Sequence, residues 1–143
     1  MLAKQITYTD FDGLERTETF YFNLTKAEIA EMELTHPGGY LNYIERIIAA
    51  KDQKELMSCF TILILNSYGE KSEDGRHFKK SEEISDMFHT SEAYSVLLME
   101  MLSDPDEASR FINGIMPKVD LTEEQQKELT ERMKARIEAR KEG

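Results

Sequence analysis

Three histidines, one cysteine and several acidic pairs are the side chains in this 143-residue sequence with types suited to chemistry. A helical metal site needs two ligands four residues apart on one face, or paired cysteines at zinc-site spacing. His36, His77 and His89 form no such pair, Cys59 stands alone, and there is no HExxH. They read as solvent-facing or helix-terminal histidines. Cys59 lies in Leu56-Met57-Ser58-Cys59-Phe60, where a thiol is a small core residue; a nucleophile needs an electropositive, accessible setting. Gly38-Gly39 belongs to no GxxxxGK[ST] or GxGxxG and reads as a helix stop. Asp10, Asp12 and Gly13 lack the continuation of a calcium loop. The pairs Glu82-Glu83, Asp104/Asp106 and Glu123-Glu124 fall at helix starts, where the macrodipole favours negative charge. The sequence therefore predicts no enzyme, no cofactor, no metal, and no catalytic residue.

The wider composition narrows the partners. Twenty-eight acids against eighteen bases give a formal charge of −10, which disfavours nucleic acid and anionic membrane, since both need a cationic face. Apolar residues make up 40%, enough for a modest core in one domain. A single cysteine excludes an internal disulfide and suits a reducing compartment. No apolar run approaches the ~18 residues of a membrane span, and the start MLAKQITYTD lacks a signal-peptide stretch, so a soluble, cytoplasmic protein is expected.

The elements that must position these residues are legible in outline. Residues 1–23 read as a β-hairpin: Ile6 and Tyr8 alternate with polar residues, and Thr17 to Phe22 are strand formers. Asp12-Gly13 predicts a tight turn with positive φ at both residues. Thr25-Lys26-Ala27-Glu28 is a capping box, with Leu24 and Ile29 at staple positions, and His36-Pro37-Gly38-Gly39 ends that first helix. A second helix is expected from Tyr40 to Ala50. Asp52 caps a third, apolar on all sides from Leu56 to Leu65, which predicts burial at the centre of the core; Tyr68-Gly69 closes it. Residues 69–81 read as a polar loop with a turn at Asp74-Gly75. Ser81, then Thr90 or Ser91, then Asp104-Pro105 open three further helices, the last ending at Asn113-Gly114. The fold class is mainly α (α+β): an N-terminal hairpin packed on a bundle of five to six short helices, with a charged amphipathic C-terminal helix.

Two units are expected: a hairpin-plus-helix core over 1–117 and a tail over 118–143. The tail carries seven bases and seven acids, so the whole −10 lies in residues 1–117. Thr122-Glu123-Glu124-Gln125 is another capping box, opening a helix to about Arg140. Leu129, Met133 and Ile137 recur every four residues as a single narrow stripe, the pattern of a protruding helix awaiting a partner; they are the candidate partner-binding residues. The eight methionines read mainly as core filler, a residue type that also lines adaptable binding surfaces.

Three stretches together carry a resemblance. ITYTDFDGLERTETFYFNLTKAEIAEMEL, YGEKSEDGRHFKKSEEI, and SEAYSVLLMEML with RFINGIMP resemble tail assembly chaperones of long-tailed phages and prophages of Gram-positive bacteria. The likeness spans about residues 5–117. It implies a non-catalytic protein of the host cytoplasm that binds the phage tape-measure protein, keeps it soluble and helps recruit tail-tube subunits; the Leu129, Met133 and Ile137 stripe is expected to dock on such a client or, by self-association, on a neighbouring subunit. It also implies a protein absent from the finished virion and often made in a second, frameshifted longer form. The family has no catalytic motif, so no residue role transfers by position. Two other readings remain open: a structural tail-completion or connector subunit retained in the virion, and an acidic mimic of DNA. The second requires carboxylates tracking phosphates, whereas many acids here are explained by caps and by pairs such as Glu128-Arg132.

Overall fold

The computed structural model describes residues 1–35, 39–117 and 123–142. Of the expected helix stop His36-Pro37-Gly38-Gly39 only Gly39 is described; the cap expected at Thr122 and the side chains of Met32 and Leu41 also lie outside the described residues.

The hairpin forms as the alternation predicts. β1 (Leu2–Thr9) pairs antiparallel with β2 (Glu15–Phe22), in register from Leu2↔Phe22 to Thr9↔Glu15. Its turn is longer than the two-residue form expected. The Asp10 amide donates to Leu14 O (2.8 Å) and the Gly13 amide to Asp10 O (3.0 Å). Only Gly13, not Asp12, has positive φ, at 83°. The Asp10 carboxylate decides this: Oδ1 accepts the Asp12 and Leu14 amides at 2.9 and 3.0 Å, filling the inside of a three-residue loop with glycine in its left-handed position.

Residues 69–81 are not simply a loop. β3 (Tyr68–Lys71) and β4 (Phe78–Lys79) make a second hairpin, and β3 pairs with β2, giving a four-stranded antiparallel sheet in the order β1-β2-β3-β4. Asp74 Oδ1 accepts the Arg76 amide, and Gly75 turns the chain at φ 74°. Gly69 does not cap a helix. A Cβ there would lie 2.8 Å from Lys79 O and from the Phe78 ring, so this glycine lets β4 approach.

Seven helices follow among the described residues: α1 (Lys26–Thr35), α2 (Gly39–Ala49), α3 (Gln53–Ser67), α4 (Glu82–His89), α5 (Glu92–Ser103), α6 (Pro105–Ile115) and α7 (Glu123–Glu142). The starts of α1, α3, α4, α5 and α6 are the predicted ones, and α2 begins one residue before the expected Tyr40. Thr25 and Glu28 exchange both bonds of the capping box (2.9 and 3.1 Å). Asp52, Ser81, Ser91 and Asp104 each accept a first-turn amide, and Pro105 occupies the first position of α6. α6 runs one residue past Asn113-Gly114 to Ile115, whose carbonyl accepts the Leu24 amide at 2.8 Å, and Gly114 faces Leu2 of β1, where a Cβ would sit 3.0 Å from its side chain.

The core joins sheet to helices through aromatic rings. Phe22 meets Phe88 and Phe111 edge-on at 5.7 and 5.1 Å, and Tyr68 stacks on Phe88 at 4.2 Å. α5 lies along β1, where Lys4 Nζ bridges Glu100 (3.2 Å) and Glu107 (2.8 Å). α3 departs from expectation. Leu56, Phe60, Leu63, Ile64 and Ser67 are buried and recur every three or four residues, so they form one face. Met57 and Ile62, outside that face, are 40% and 42% exposed.

Candidate partner-docking surfaces

The stripe proposed for a partner meets this chain's own core. α7 does not protrude; it lies on α2 and α6. Met133 and Ile137 are fully buried, in one cluster with Ile44 and Ile47 of α2 and with Ala108, Ile112 and Ile115 of α6; Leu129 packs at its margin. Burying a methionine and an isoleucine favours this docking by roughly 1.5–3 kcal/mol each, which is why the helix settles here.

Charge orders the two flanks of the stripe. At 100° per residue, Arg132 and Arg136 fall on one side of Met133 and Lys134 on the other. On the α2 side, Arg132 Nη1 lies 3.2 Å from Glu45 Oε1. Arg136 Nε donates to Ile48 O at 2.6 Å, in the last turn of α2, where carbonyls lack helical partners and a cation is favoured. On the α6 side, Lys134 Nζ lies 2.8 Å from Asp106 Oδ1, and this ammonium holds the Asp106 carboxyl below its usual range. The seat of α7 thus has an apolar floor and an acidic rim.

A second surface was not foreseen. Methionines expected as filler divide in two: Met101 and Met133 are buried, whereas Met87 and Met99 are 66% and 57% exposed. With Met57, Ile62 and Val96, these place exposed apolar side chains on α3, α4 and α5, which pack on one another. Sequence counts apolar types but not which face they take, so only a full angular analysis of α5 hints that Val96 and Met99 oppose Leu97 and Met101.

The residues weighed for chemistry stay apart. His77 is exposed, and His89, also exposed, meets the Tyr94 ring edge-on at 4.9 Å; His36 lies outside the described residues. Cys59 is half-buried rather than enclosed, since it stands on the flank of α3 and not on its packed face. Among the described residues, no three His, Cys, Asp or Glu side chains gather to hold a metal ion, and no helix is long and apolar enough to cross a membrane.

A family model described as phage tail assembly chaperone matches residues 1–142. The chain belongs to that family, and the match continues past residue 117 through α7. No curated protein and no solved structure matches the chain.

Proposed function

We propose that this chaperone binds the phage tape-measure protein in the host cytoplasm, keeps it soluble, and helps bring tail-tube subunits to it. The family match over residues 1–142 carries the reading. Two physical features support it. Exposed methionines on α4 and α5, flexible and polarizable, suit a surface that must accept varied apolar faces of a helical client. The net charge of −10 keeps loaded complexes apart. In this reading the protein acts by binding alone, without catalysis or cofactor.

The test is co-expression with the tape-measure protein encoded by the same phage or prophage. A soluble, co-purifying complex is expected. Insoluble tape-measure protein with this chain left free overturns the reading. Mass spectrometry of purified particles then separates a chaperone, missing from the virion, from a structural subunit retained in it.

A further inference from the structure

The seat beneath α7 is built for more than closing a core. α3, α5 and α6 bury five, six and six residues over eleven to fifteen positions. α7 fully buries only Met133 and Ile137 among the described side chains of its twenty residues. Its further hold includes Leu129 at the margin, the Arg136 bond to Ile48, and ion pairs whose members Glu45 and Asp106 are 52% and 61% exposed. Exposed pairs of this kind contribute little and weaken in salt. Among the described side chains, α7 thus buries fewer than α3, α5 or α6 although it is the longest described helix. Its seat nonetheless offers a continuous apolar floor and carboxylates on both sides, the features with which a groove recognises an amphipathic helix.

We propose that the α2–α6 groove is a docking site for a partner protein's amphipathic helix, bearing three apolar residues four apart flanked by lysine or arginine, and that α7 is the intramolecular occupant it displaces. Charge complementarity selects this partner. Residues 1–117 hold the entire −10, and the groove rim presents Glu45 and Asp106, so an incoming helix with basic flanks replaces the Arg132 and Lys134 contacts one for one. An acidic helix meets like charge on both sides. Leu129, Met133 and Ile137 are then a mimic of the partner's stripe. The inference rests on the chaperone reading and adds a second docking surface to the exposed methionines of α4 and α5.

The probe is a labelled alanine/glutamine helix of about twenty residues, long enough to hold helical structure, with three leucines four apart flanked by lysines or, in a control, by glutamates. Binding is measured to the unmodified protein and to two charge variants at the rim of the groove. R132E/K134E is expected to bind the lysine helix about tenfold more tightly than the natural protein, since charge reversal turns the two attractive pairs with Glu45 and Asp106 into repulsive ones that loosen α7. E45K/D106K is expected to reverse the preference toward the glutamate helix. Native-state hydrogen exchange of the unmodified protein is expected to show α7 opening before α3 and α5. Exchange of α7 only on global unfolding overturns the proposal, as does lysine-helix binding that R132E/K134E leaves unchanged or absent. A dimer formed by exchange of α7, with the probe left unbound, also overturns it and assigns the groove to a second copy of this chain. Because the probe is not the tape-measure protein, failure here leaves the co-expression result standing, and the converse holds.

Discussion

Lys80 Nζ stands 2.7 Å from Glu28 Oε2, and the same ammonium donates to the main-chain oxygens of Asn23 (2.7 Å) and Asn66 (2.9 Å). Three donors meet three acceptors from three parts of the chain. Asn66 O belongs to the last turn of α3, where carbonyls lack helical partners and a cation meets the negative end of the dipole. Asn23 follows β2, and Glu28 closes the capping box of α1 with its other oxygen. One side chain just after β4 therefore fixes where sheet, α1 and α3 converge.

Lys80→Met should remove all three bonds while keeping much of the aliphatic stem. Bonds to charged groups contribute about 1.5–3 kcal/mol when well shielded, and this site is partly open, so a loss of about 2 kcal/mol in total is expected. Urea unfolding measures it. A midpoint unchanged by the substitution would show that water replaces the ammonium at no cost.

Gly69→Ala tests the close approach of β4. The new Cβ would lie 2.8 Å from Lys79 O, a main-chain atom that cannot rotate away, so β3 and β4 must separate. Overpacking of this kind costs roughly 1–3 kcal/mol. Gly114→Ala is the informative contrast. There the nearest atoms belong to the Leu2 side chain, which can shift, and alanine gains about 1 kcal/mol of helix propensity. Thermal scans should show a clear loss for the first and little change for the second.

These positions show what sequence carries and what it does not. Thr25, Asp52, Ser81, Ser91 and Asp104 were legible as caps because each bond spans two or three residues of chain. The β3–β4 hairpin was not, because its strands are four and two residues long and mostly polar, too short for a period to register. The stripe of α7 was legible as a stripe. Its seat was not, since the groove is assembled from α2 and α6, whose juxtaposition is non-local. Lys80 gave no signal at all: its acceptors are main-chain oxygens 57 and 14 residues away and a carboxylate 52 residues away.

Acid should weaken the fold through the same contacts. Burial by itself pushes the Glu28 carboxyl up, but the Lys80 ammonium and the Thr25 amide outweigh it and hold the group below its usual range. The Lys4 ammonium does the same for Glu107, helped by Arg110. A carboxyl whose folded pKa is depressed contributes stability that is present above its unfolded value, near 4.5 for glutamate, and lost as pH falls through the folded one. Thermal midpoints should therefore hold steady at neutral pH and decline below about pH 4.5. Glu28→Gln should lower the neutral-pH midpoint and flatten that decline. A parallel decline in the variant would place the acid sensitivity elsewhere.

Met87→Gln with Met99→Gln separates holding a client from holding the fold. Both side chains are mostly exposed, so stability should move by no more than about 0.5 kcal/mol. Phe22→Ala, by contrast, empties a fully buried site ringed by Tyr68, Phe88 and Phe111 and should cost roughly 3–5 kcal/mol. If the exposed methionines accept apolar faces of the tape-measure protein, the double variant should leave less of it soluble on co-expression, with its own unfolding midpoint unchanged. Glutamine keeps the length and flexibility of methionine, so such a loss would report the missing apolar surface and not a change of shape. Undiminished soluble complex would remove these side chains from the holding surface and direct attention to the groove beneath α7.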